Sequence, residues 1–197
     1  FVLLLIHTLI TLFGSIINQD VLDFARTKFD VEMESNIPTW FSSSLLLFIS
    51  IIAIIIALQS SKSKIPKSFF SHHTFWLMPG LVFGYLSLDE TAQLHEIIDL
   101  ATNYQIKSVF FYAPFVVIFT LLCIYFIVII KQDKTLQNYF LGGLALLIFG
   151  AVVLELVDYY FDLAYALRTI IRTTEEGLEM VGTTIIRNSM LLLRKTL

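Results

Sequence analysis

The chain is predicted to be an all-α integral membrane protein, a bundle of about six transmembrane helices, and three observations carry that prediction. Hydrophobic residues make up 57% of the 197 residues, charged residues only 15%, and the mean hydropathy is +0.80, whereas a soluble domain carries about 25% charged residues. The apolar residues are gathered into stretches of the roughly 20 residues that a helix needs to cross a hydrocarbon core of about 30 Å. Acidic side chains lie inside or beside those stretches, where a carboxylate costs several kcal/mol unless it is neutralised, hydrated or bound.

The first span in chain order, Phe1 to Ile17, is short, and a chain that begins at Phe1 instead of Met is consistent with a fragment or a processed product. After it, Val21, Leu22, Phe24, Ala25, Phe29 and Val31 recur at helical spacing among Asp20, Asp23, Arg26, Lys28 and Asp30. Residues 19 to 34 are therefore expected to form a short amphipathic helix on the outer surface. Asn36 and Pro38 turn the chain into the second span, Pro38 to Leu58. The third runs from Thr74 to Ile98, the fourth from Ser108 to Ile130, the fifth from Tyr139 to Leu163 and the sixth from Tyr165 to Leu193. The second and fourth are nearly uninterrupted Leu, Ile, Phe and Val and suit lipid contact; the third, fifth and sixth carry the charges.

Basic residues set the orientation. Lys62, Lys64 and Lys67, then Lys131 and Lys134, then Arg187, Arg194 and Lys195 fall on one side, expected to be cytoplasmic, which gives both termini an inside location. No repeat or low-complexity linker divides residues 1–197, so one polytopic membrane domain is expected. Cys123 is the single cysteine, so one chain offers no disulfide framework and no cysteine-rich zinc site. No basic stripe interleaved with aromatics exists to track a nucleic acid. The expected partners are the bilayer, a cation or protons, and a second copy or a larger membrane complex.

Depth brings the acids together. At 1.5 Å per residue, Asp89 lies about 13 Å, Glu155 about 12 Å and Glu175 about 15 Å below the outer ends of their spans, and His7 sits about 15 Å from the outer end of the first. At about 100° per residue, Asp89, Gln93 and Glu96 share one face of the third span; His95 is displaced from Glu96, and Glu90 points away. Glu155, Asp158 and Asp162 share a face of the fifth. Arg168, Arg172, Glu175, Glu176 and Glu179 share an arc of the sixth.

Two arginines, Arg168 and Arg172, stand against Asp89, Glu90, Glu96, Glu155, Asp158, Glu175, Glu176 and Glu179. Salt bridges within the bundle account for some of these acids, with Arg172 reaching Glu175 and Glu176 and Arg168 reaching Asp158 or Asp162. Protons, water or cations must balance the rest. The pattern points to an outer-half carboxylate site for a cation or protons, serving ion transport or conduction. Asp89, Glu96, Glu155, Asp158, Glu176 and Glu179 are the expected cation-binding (metal) residues; His95, Glu175, Arg172 and His7 are secondary. An all-oxygen donor set suits a divalent cation such as Mn, Fe, Mg or Ca better than a thiophilic one. The Glu-x-x-His pairs of di-iron bundles are missing, since His95-Glu96 has the wrong order and spacing. Ser87, Asp89 and His95 do not meet at helical spacing as a nucleophilic triad.

Two other readings fit the same acids: a metal-dependent membrane enzyme acting on a lipid or other apolar substrate, and a small subunit of a larger membrane complex. Gly80 and Gly84, then Gly142, Gly143 and Gly150, then Gly177 and Gly182 are expected to let the acid-bearing helices approach closely.

Overall fold

The computed structural model describes residues 2–13, 18–31, 35–60, 72–101, 116–117, 119–121, 134–161 and 164–196, and the regular structure among them is helical throughout, with no strand. The elements are α1 (Val2–Phe13), α2 (Gln19–Phe29), α3 (Ile37–Ser60), α4 (His72–Ala92), α5 (Leu94–Ala101), α6 (Lys134–Ile148), a π-helical stretch (Phe149–Leu154), α7 (Glu155–Tyr160) and α8 (Tyr165–Thr196). Among the described residues two helices are long and apolar enough to cross a membrane, Ile37–Gln59 and Lys134–Tyr160. Most of the fourth expected span, the lysine loop at 61–70 and Asp162 lie outside the described residues.

Two antiparallel hairpins make the body. In the first, α3 packs along α4. The second joins the α6–α7 rod to α8, and α3 also touches α8, which brings the hairpins together. Asn36 starts α3 by accepting the Thr39 N–H at 3.1 Å, with Pro38 in the first turn, where its missing N–H leaves nothing unpaired.

Small residues set the helix spacing. A Cβ on Gly80 would lie 2.8 Å from Ile54 Cγ1, and one on Gly182 would lie 2.5 Å from the Gly143 carbonyl oxygen and 2.7 Å from Leu147 N. At both seams backbone approaches a neighbouring helix where no side chain fits. Gly142, next in sequence to Gly143, faces open space. Between α3 and α4, Ser43 Oγ donates to the Ser87 carbonyl and Ser87 Oγ to the Ser43 carbonyl, both at 2.9 Å, with Thr91 Oγ1 2.7 Å from Ser43 Oγ.

The apolar core occupies one end of the bundle. Ile49, Ala53 and Ile56 of α3, Phe75, Trp76 and Phe83 of α4, Leu136, Phe140 and Leu144 of α6, and Ile186, Met190 and Leu193 of α8 are all buried there with Phe119. Phe83 meets Phe119 edge-on at 5.3 Å. The outside is apolar too: Trp40, Leu47, Phe48, Ile51 and Leu58 stand exposed along α3, which has no charged residue between Ile37 and Gln59.

The structure departs from the sequence expectation at two places. Periodicity alone predicts one helix from Thr74 to Ile98, but α4 ends at Ala92 and α5 begins at Leu94. Gln93 between them has φ 55°, in the left-handed region, and its N–H closes on the Asp89 carbonyl at 2.7 Å. The azimuth that joins Asp89 to Glu96 assumes a continuous helix, so this break removes its basis. Secondly, α2 stops at Phe29, short of residue 34, because Asp30 is already extended. It packs against α1, burying Leu22 while leaving Val21 and Phe24 exposed. After it, Asp30 and Val31 return to the level of His7.

Candidate carboxylate site

The acids collect at the end of the bundle opposite the aromatic core. Antiparallel packing brings the C-terminal end of α4, the π-helical stretch with α7, and the N-terminal half of α8 to one level. A π-helical turn inserts a residue into the helical repeat and turns everything after it by about 100°. Glu155 and Asp158 come directly after such a stretch. At its second residue, Gly150, a Cβ would lie 2.9 Å from the Glu175 carbonyl oxygen and 3.0 Å from Glu179 Cγ. The missing side chain allows α8 to bring its glutamates against the rod.

Glu179 is the focus. It interacts electrostatically with Glu176, Glu90, Glu175 and Glu155, and Glu175 in turn with Glu155, Asp158 and Arg172. Glutamates from α4, α7 and α8 therefore share one region. Asp89, beside Glu90, is 7% exposed.

Asp158 is held differently. Arg168 Nε donates to its Oδ1 at 2.9 Å, and Arg172 donates to its Oδ2 through Nε at 3.1 Å and a terminal nitrogen at 2.9 Å. Both oxygens are engaged, and the two guanidinium groups are 40% and 44% exposed. The aspartate clamps α7 to α8 at the solvent side of the glutamates.

Of the residues singled out in the sequence, Glu155, Glu175, Glu176 and Glu179 come together, and Arg172 joins them through Asp158 and Glu175. His7 is buried against α8 at Thr173. Glu96 and His95 belong to α5, and their side chains lie outside the described residues. Glu90, which points away by the angular count, is the α4 acid that interacts with Glu179. No local signal marks it. The π-helical stretch is equally unannounced, since Phe-Gly-Ala-Val-Val-Leu reads as ordinary apolar helix. Among the described residues, no three His, Cys, Asp or Glu side chains converge as ligands of one metal ion.

The family described as "Domain of unknown function (DUF8692)" matches residues 1–194, and the chain belongs to it. No curated protein and no solved structure matches the chain.

Proposed function

We propose that the protein is a multi-pass membrane protein whose buried carboxylates bind protons or a hard cation during transport across the bilayer. The observation that carries this reading is the gathering of Glu90, Glu155, Glu175 and Glu176 around Glu179. Like charges gathered in an apolar setting favour the uptake of protons or cations, and weak, exchangeable occupancy of that kind is what a transport site requires.

The membrane setting is supported by the two long apolar helices and by the apolar outer faces of α3 and α6. In this reading six spans cross the bilayer with both termini inside and the lysine-bearing loops cytoplasmic. The acidic level lies in the outer half. α8, 32 residues and thus roughly 48 Å long, overreaches a core of about 30 Å and carries Arg168 and Arg172 to the outer boundary. Glu179, with Glu155 and Glu176, would take up the protons or attract the cation in turn, with Glu90 and Glu175 beside them and Asp89 next to Glu90. Oxygen donors alone would favour Mg, Ca, Mn or iron among divalent ions.

The test is flux in proteoliposomes holding the purified chain, with pH-sensitive and cation-sensitive dyes inside. Proton-dependent or cation-dependent flux that responds to imposed voltage and pH gradients is expected. Vesicles no leakier than protein-free controls across all gradients would overturn the transport reading.

A further inference from the structure

His7 lies apart from the carboxylates, yet it is buried with three polar groups around its ring. Nε2 is 3.1 Å from Thr173 Oγ1 on α8. Nδ1 is 3.2 Å from Asp30 Oδ1 and 3.4 Å from the Val31 backbone nitrogen. The hydrogen positions can be worked out from these partners. Thr173 donates its own hydroxyl hydrogen to the Thr169 carbonyl at 2.8 Å, so it presents a lone pair to His7, and Nε2 must carry a hydrogen.

At Nδ1 an acceptor and a donor compete. Bonding to the Asp30 carboxylate needs a second ring hydrogen and makes His7 an imidazolium. Bonding to the Val31 N–H needs a bare Nδ1 and makes the ring neutral. One ring cannot serve both partners at once, so each protonation state has its own partner.

The turn that carries both partners is not isolated. The Asp30 carbonyl accepts from the Asn36 side chain, whose oxygen accepts in turn from Thr39 at the start of α3. On the α8 side, Thr173 is one turn from Glu176, and its neighbour Arg172 is taken up by Asp158. Of the charged groups of α2, Asp20, Asp23 and Lys28 lie about 100° or more around the helix from the buried Leu22, and Arg26, one turn beyond Leu22, is exposed. Among the described groups, the charge facing the ring is Asp30.

We propose that His7 is a proton-binding site at which gain of a proton exchanges the Val31 amide for the Asp30 carboxylate, resetting Asp30 and Val31, at the end of α2, against α8. The site stands independently of the transport reading, because nothing in it depends on flux or on the glutamates.

The experiment is solution NMR on the whole chain in lipid nanodiscs, with histidine ring nitrogens labelled and amide exchange measured at Val31. His7→Gln assigns the ring signal; Thr173→Val, which perturbs only the ring bonded to it, is the second route to the same assignment. Across a pH series the spectra are expected to show two forms of the His7 ring, imidazolium and neutral. Val31 amide protection, corrected for intrinsic exchange, should rise about threefold with the same midpoint, the size of one weak hydrogen bond. In Asp30→Asn, which removes the carboxylate that favours the imidazolium, the midpoint of both changes should fall to lower pH. A ring that keeps one form throughout, a titration without change at Val31, or an unaltered response in Asp30→Asn would each overturn the proposal.

Discussion

The two ends of this bundle are held together by opposite means, although the same helices run through both. At one end Phe83, Phe140, Ile186 and Met190 interlock, and Gly182 closes against Gly143. At the other, Glu179 meets the charges of Glu90, Glu155, Glu175 and Glu176, and Glu175 those of Glu155, Asp158 and Arg172. α8 takes part in both, with its buried Met190 and Leu193 near one end and its glutamates near the other. Buried charge is a poor source of stability, so the apolar half has to fix the positions at which the acids are forced together. Stability and activity are thereby assigned to different turns of one helix, and substitutions can separate them.

The largest effect should come from the glycine seam. In Gly182→Val, side-chain atoms would meet the Gly143 carbonyl and the Leu147 backbone at distances no rotamer relieves. A loss of about 3 kcal/mol or more is expected, enough to prevent recovery of a monodisperse species in detergent. A well-behaved Gly182→Val with an unchanged melting temperature would show that α6 and α8 do not meet there. Glu179→Gln should do the reverse. It removes the central charge while keeping shape, so the melting temperature should hold or rise, and flux in proteoliposomes should fall at least about tenfold. Retained flux would move the transport site away from Glu179.

The same contrast explains which parts of the fold can be read from the sequence. Helix periodicity and the absence of charge are local properties, so α3 and the apolar body of α6 are legible, and so are α2 and the close approach at Gly80, Gly143 and Gly182. Depth counting also puts Asp89, Glu155 and Glu175 at nearly one level, since rise per residue is less sensitive than angle to local helix breaks. Angle is less forgiving. A left-handed Gln93 and a π-helical stretch at Phe149–Leu154 each rotate the residues beyond them, and neither has a residue signature of its own. The azimuth that joins Glu96 to Asp89 therefore loses its basis, while Glu90 reaches Glu179 from the turn before the break. Depth puts His7 near the acids, but its partners Asp30 and Thr173 depend on how the chain folds back after α2.

A smaller effect is expected where the two regimes meet solvent. Asp158→Asn removes the anion shared by Arg168 and Arg172, but both arginine side chains are about two-fifths exposed, so solvent screens the pairing. The cost should be about 1 kcal/mol, read as a drop of a few degrees in melting temperature that shrinks at high salt. Flux should persist at near wild-type rates. If Asp158→Asn abolished flux as Glu179→Gln does, the aspartate would belong with the cation-binding acids and not with the clamp.

The smallest effect is the most discriminating for the packed half. Gly142 and Gly143 are adjacent and equally small, yet a Cβ on Gly142 meets nothing within 4 Å, while one on Gly143 would lie 2.8 Å from the Gly182 carbonyl oxygen. Alanine at 142 therefore only removes the helix-weakening effect of glycine, a gain of roughly 0.5 to 1 kcal/mol that should raise the melting temperature slightly. Alanine at 143 gains the same propensity but must push α8 away, so its net effect should be a loss. Opposite signs at neighbouring positions would fix the face of α6 that carries the seam to within the roughly 100° that separates them. If instead Gly142→Ala were the destabilising change, the open face of α6 would be packed against something else, and a second copy of the chain would be the first partner to test by cross-linking at that position.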